Sequence, residues 1–105
     1  MKIALIQFKP AFLDLDHNLE RAIEILRDIS ADIAVFPELF LSGYTFVDEA
    51  QARTCAFPFE ESPQLAPLLR ISRKKSMAVC GGYAEIDGRD LYNSAFFMAG
   101  GRLVS

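Results

Sequence analysis

Long apolar runs are missing from this chain of 105 residues. Stretches such as Ile3–Ile6 and Ile33–Phe36 are short, far below the roughly 20 residues needed to cross a bilayer as a helix. The N-terminal run lies between Lys2 and Lys9-Pro10. It is too short for a secretory signal and has no small-residue cleavage site after it. The expectation is no membrane contact and a cytoplasmic location. Cysteine is scarce: Cys55 and Cys80 are the only two, far apart and in no metal-ligand spacing. That excludes a disulfide framework, points to a reducing compartment and leaves no expected metal or cofactor. There is one histidine, His17, at an expected helix start, so a Cys–His dyad is not expected. Basic excess is absent too, with Lys+Arg 11 against Asp+Glu 14 and a net charge of −3. The longest basic cluster is Arg73-Lys74-Lys75, which suits the solvated end of a helix. No nucleic-acid partner is expected. No internal repeat, low-complexity tract or linker interrupts the chain.

What is present is a globular composition, 51% hydrophobic and 24% charged, in a length that makes one small domain. The chain is organised around Ile33 to Tyr44, Ile-Ala-Val-Phe-Pro-Glu-Leu-Phe-Leu-Ser-Gly-Tyr. Ile33–Phe36 reads as a strand buried on both faces. Pro37 cannot donate to a ladder and marks the strand's end. Glu38 then lies just past the carboxyl end of a buried strand, where open α/β sheets place their crevices. A carboxylate among Pro37, Leu39, Phe40 and Leu41 is a candidate general base if it is desolvated. The plain alternative is a loop carboxylate or a capping charge. Gly43 allows the turn that returns the chain.

The remaining elements read in order. Lys2–Phe8 is a first strand. Asp16 or Asn18 caps a helix whose apolar stripe is Leu19, Ala22, Ile23, Leu26 and Ile29. Strand, amphipathic helix and buried strand make a βαβ unit, so the two strands are expected to be parallel neighbours. Thr45–Glu61 is irregular, with a short helix near Val47–Arg53. Ser62-Pro63 starts a second long helix, in which Pro67 is tolerated early. Met77–Tyr83 is a third buried strand, and Asp87-Gly88 turns it into an antiparallel strand, Leu91–Met98. Ala99-Gly100-Gly101 is another turn, and Arg102–Ser105 reads as a strand cut at its beginning.

Pro37-Glu38-Leu39-Phe40-Leu41-Ser42-Gly43-Tyr44 after a hydrophobic strand closely resembles the segment that carries the catalytic glutamate in the nitrilase superfamily of carbon–nitrogen hydrolases. Lys2–Gln7 is similar to that family's first strand. Gly81-Gly82-Tyr83-Ala84-Glu85 and Leu91-Tyr92-Asn93-Ser94-Ala95 resemble its next strand pair. The resemblance covers essentially the whole chain. It implies the N-terminal part of an α-β-β-α sandwich, with residues 1–105 an N-terminal portion of a truncated hydrolase domain. It implies amide or nitrile chemistry by a Glu–Lys–Cys triad. In that triad Cys attacks the carbon, Glu acts as base and Lys stabilises the oxyanion. Only the Glu is here, as Glu38. The family's Lys and Cys follow beyond this chain, so it is not expected to work alone. The implied substrate is a small molecule, a simple carboxamide before a nitrile. Acyl transfer by the same thioester chemistry needs an amine site that the sequence does not reveal. The competing reading is an inactive module that keeps half the fold for binding or assembly.

Other candidates read as structural. Cys80 and Cys55 are expected as packing thiols, and Lys74 and Lys75 as solvent-facing. Glu85 is expected as a hairpin-end charge, although adjacent strands could bring it near Glu38. Asn93 and Ser94 are expected to satisfy local backbone groups. Tyr44 either borders the substrate pocket or covers the core beside Gly43. Half a sandwich exposes a sheet face and an edge, which points to a homo-oligomer.

Overall fold

A computed structural model describes residues 1–43, 46, 48–60 and 62–105. Its centre is a five-stranded sheet in the order β1-β2-β3-β4-β5. The strands are β1 (Ile3–Leu5), β2 (Ile33–Val35), β3 (Ala78–Asp87), β4 (Asp90–Ala99) and β5 (Arg102–Leu103). β1, β2 and β3 are parallel neighbours, and β4 and β5 return antiparallel. The βαβ reading of the first two strands is therefore correct. β1 is shorter than the expected Lys2–Phe8 strand. Beyond Leu5 the backbone still bonds once, Ile6 N–H to the Val35 carbonyl at 2.9 Å. Phe8 then leaves the ladder to pack edge-on against the rings of Phe36 and Phe40.

Helix α1 (Leu15–Asp28) connects β1 to β2, and α3 (Ala66–Lys75) leads into β3. α2 (Glu49–Cys55) lies in the irregular stretch, close to the short helix read there. The α1 cap is Asp14, whose carboxylate accepts the His17 N–H at 3.1 Å, and not Asp16 or Asn18. Asn18 has a different task. It is buried. Its amide donates to the Ala11 and Leu41 carbonyls, each at 2.8 Å, and its oxygen accepts the Ala11 N–H at 2.7 Å. A cap must look outward along the axis, whereas Asn18 sits one turn in and ties the loop before α1 to the loop after β2. Ser62 does not cap with its side chain; its hydroxyl donates to the Pro58 carbonyl. A 3-10 turn, Pro63–Leu65, precedes α3. Pro67 falls in the first turn of α3, where a missing N–H costs little.

Side chains alternate across a strand, so the register divides the sheet into two faces. Ala34, Val79 and Met98 share one row and are fully buried, in one cluster with Ala22 and Leu26 of α1 and Leu68 of α3. On the other face the row is Leu5, Val35, Cys80 and Phe97. There Ile3 and Leu5 are 56% and 77% exposed, and Val35, Cys80 and Phe97 are half-buried. Among the described residues the helices therefore cover one face only. This corrects the reading of Ile33–Phe36 as buried on both faces: Ala34 and Phe36 are buried, Ile33 and Val35 are not. An uninterrupted apolar run is what a two-sided strand needs, and this chain supplies the cover for one side.

Both turns follow their sequence signals. Gly88 has φ 61° at the first loop position between Asp87 and Asp90, which suits a hairpin turn with glycine first. Lys74 is exposed as read, whereas Lys75 is half-buried and engaged. Its ammonium donates to the carbonyls of Arg27, at 3.0 Å, and Ile29, at 2.7 Å. These are orphan acceptors at the end of α1, so the lysine joins the two helices.

Candidate functional site

β2 stops at Val35, and the backbone turns at Pro37–Ser42 over the middle of β3. Two glycines in β3 make room for this. A Cβ on Gly81 would lie 2.5 Å from the Phe40 ring. A Cβ on Gly82 would lie 2.8 Å from both the Glu38 Cα and the Leu39 backbone nitrogen. Without those carbons, the Gly82 N–H reaches the Pro37 carbonyl at 3.2 Å. Phe40 is fully buried and stacks on Phe36 at 4.5 Å between ring centres. The turn is sharp because Leu39 adopts a left-handed backbone, φ 49°, a conformation uncommon for a non-glycine residue. The Leu39 carbonyl accepts the Gly43 N–H at 2.9 Å, and Gly43 itself has φ 82°. A locally strained residue beside Glu38, held by its surroundings, is a pattern found at functional sites.

Glu38 points away from this packing. It is exposed and lines an open cleft of about 370 Å³ with Val35, Cys80, Gly82, Asn93 and Ala95. The apolar flanks Leu39, Phe40 and Leu41 are buried beneath the turn. The desolvation considered from sequence is therefore not present in this chain, because the flanks turn inward while the carboxylate turns out. Its partner is Asn93 on β4, whose Nδ2–H donates to Glu38 Oε1.

Three sequence readings change here. Asn93 does not serve a local backbone group but reaches a side chain 55 residues away. Ser94 donates its hydroxyl to Glu85 Oε1 at 2.6 Å, so Glu85 is engaged on its own hairpin. Cys80 is half-buried and lines the Glu38 cleft, while Cys55 is buried at the end of α2 as read. Burial pushes the Cys80 thiol above its ordinary range, which opposes thiolate formation. A signal for Asn93 was available. Counting outward from the Asp87-Gly88 turn places Asn93 opposite Ala84, close to the glycine pair. Tyr44 lies outside the described residues. A second hollow, of about 310 Å³, lies between Pro58–Glu60 and Glu85–Asp87 and does not include Glu38. No group of metal-binding side chains is assembled among the described residues.

Residues 2–105 match the carbon-nitrogen hydrolase family. The chain belongs to that family. It is 33% identical over 98 residues to a nitrilase of Pyrococcus abyssi, covering 90% of this chain and 37% of that protein. It is 36% identical over 97 residues to an (R)-stereoselective amidase of a Pseudomonas species, covering 90% of this chain and 34% of that protein. Its fold matches an N-terminal amidase, crystallised with a Gln-Val peptide, at a TM-score of 0.88 and 28% identity. That match covers all of this chain and 27% of the other. The chain thus spans between 18% and 37% of the length of the curated relatives it matches. The one-sided helix cover and the five-stranded sheet are the part of the α/β carbon-nitrogen hydrolase fold that these residues build.

Proposed function

We propose that this chain supplies the base-bearing portion of an enzyme that hydrolyses a small carboxamide. The observation that carries the reading is Glu38, on a strained strand-end turn, in an open cleft, in a carbon-nitrogen hydrolase chain. In this reading Glu38 takes the proton from a cysteine thiol as its sulfur attacks the carbonyl carbon. A lysine ammonium stabilises the oxyanion. The proton is delivered to the departing nitrogen, which leaves as ammonia or an amine, and water then frees the acid from the thioester. Among the described residues no lysine lines the Glu38 cleft, and burial raises the Cys80 thiol, which opposes its use as the nucleophile. In this reading the nucleophile and the lysine are supplied by other residues of the polypeptide as encoded. The test is ammonia release from a panel of simple carboxamides. The polypeptide as its gene encodes it is expected to turn them over, and residues 1–105 alone to release none. A gene product that stops at Ser105 and shows no hydrolysis supports the competing reading, a binding or assembly module.

The open sheet face supports a second element of the proposal, self-association of the isolated chain. Leu5, Val35 and Phe97 stand in one row on that face, and an uncovered apolar sheet favours pairing with a copy of itself. Sedimentation of residues 1–105 is expected to show dimers or larger species. A dilute monomer that unfolds cooperatively would count against it. Cytoplasmic location belongs to the same reading.

A further inference from the structure

Glu38 sits at a loop tip, and a glutamate side chain has several rotatable bonds. Ordering it costs rotamer entropy. An exposed carboxylate with no partner would sample many directions, and proton transfer requires one. Two devices restrict it. The backbone is restricted by the Gly82 approach, with the Pro37 carbonyl held at 3.2 Å and Leu39 in its left-handed turn. The side chain is restricted by Asn93, which donates to Oε1. Asn93 lies in the middle of β4, paired along its length with β3. It therefore projects from the most regular part of the sheet, and sites mounted on strands are held better than sites on loops.

We infer that Asn93 is a positioning residue: its side-chain amide orients the Glu38 carboxylate for proton abstraction. The inference rests on the reading of Glu38 as the general base. The chemistry suits the role. A neutral amide donor fixes one oxygen without placing a cation against the base. The bond engages Oε1, and in this scheme Oε2 takes the proton. Asn93 touches neither thiol nor substrate in this scheme and acts through Glu38 alone.

Two variants separate orientation from packing. Asn93→Asp keeps the shape of the side chain, but its carboxylate cannot donate and repels Glu38. Asn93→Ala removes the group. In the polypeptide as encoded, both are expected to lower kcat roughly 10–100-fold, the scale of a misplaced reacting group, with KM nearly unchanged. Asn93→Asp should be at least as impaired as Asn93→Ala. A side chain that only fills space would be restored by the isosteric Asp, and turnover of Asn93→Asp close to that of the unsubstituted protein overturns the inference.

A second measurement does not depend on turnover. In the ¹⁵N-labelled polypeptide as encoded, the Asn93 carboxamide signal is assigned by its loss in Asn93→Ala. A proton donated to a carboxylate resonates downfield, and Glu38→Ala is expected to return it upfield. A signal indifferent to Glu38 also overturns the inference, while leaving carboxamide hydrolysis by the unsubstituted protein intact. Absence of any hydrolysis by that protein overturns the general-base reading instead, and with it the catalytic consequence of the bond.

Discussion

On the proposed function, Glu38→Gln in the polypeptide as encoded is expected to lower the chemical step by roughly a hundredfold or more, the scale for loss of a positioned general base. The substitution is nearly isosteric. The Asn93 amide can donate to the glutamine carbonyl as it does to Oε1 of Glu38, so the turn and the cleft keep their shape. Glutamine cannot accept the thiol proton, and that deficit appears only as the thiolate forms. Substrate affinity should therefore change much less than kcat. Steady-state kinetics with one carboxamide, beside a thermal melt, checks both halves. A Gln variant with near-normal turnover would remove Glu38 from the mechanism. Turnover by the short chain that survives loss of Glu38 would point to another nucleophile and base, with Cys80 the first to examine.

The second large effect is expected at a residue with no functional group. Gly82→Ala places a Cβ 2.8 Å from the Glu38 Cα and 2.8 Å from the Leu39 nitrogen. Both are backbone atoms in a turn that is already strained, so neither can move aside as a flexible side chain does. Either β3 shifts away from β2 or the Pro37–Leu39 turn lifts. Overpacking of this kind costs about 1–3 kcal/mol, or a fall in Tm of about 4–8 °C for each kcal/mol in a domain of this size. If the turn lifts, Glu38 moves with it. A displacement of about 1 Å at a reacting group costs roughly a hundredfold in rate. Gly88→Ala separates the two effects. A Cβ there meets nothing within 4 Å, but φ is 61°. That variant should lose about 1 kcal/mol or more from backbone strain and keep its kcat. Equal kcat losses in the two variants would mean that instability, and not displacement of Glu38, explains the first.

The glycine pair and Asn93 act on Glu38 from different directions. Gly82 sets how closely the backbone approaches β3, and Asn93 sets where the carboxylate points. Both belong to the β3–β4 hairpin, the longest paired segment of the sheet. The hairpin is thus more than an edge of the fold. It is the support on which the strand-end turn rests, and Asn18 braces the same turn from the other side through the Leu41 carbonyl.

The sequence by itself determined the parts that neighbours in the chain decide. Apolar positions at helical spacing named the inward stripe of α1: Ala22 and Leu26 are buried, and Leu19, Ile23 and, just past the helix, Ile29 pack half-buried against the same core. The short apolar runs named β1, β2 and β3. Asp87-Gly88 and Gly100-Gly101 located the turns, because few residues other than glycine accept the positive φ found there. Pro37 ended β2, which put Glu38 past a strand's carboxyl end. Each of these follows from local backbone chemistry or from period. What only the tertiary structure decided depends on register and on which surfaces meet. Asn18 reads as a helix cap, yet it is buried, because the loops it joins come together only after β2 has docked beside β1. Lys75 reads as a solvated charge, yet the packing of α3 beside α1 brings the last α1 carbonyls within its reach. Cys80 reads as a core thiol, yet alternation along β3 puts it on the face that these helices leave open. Asn93 reads as local, yet the hairpin register carries it to Glu38 across the sheet. In each case the short-range pattern left the surroundings open, and strand register or helix packing decided them.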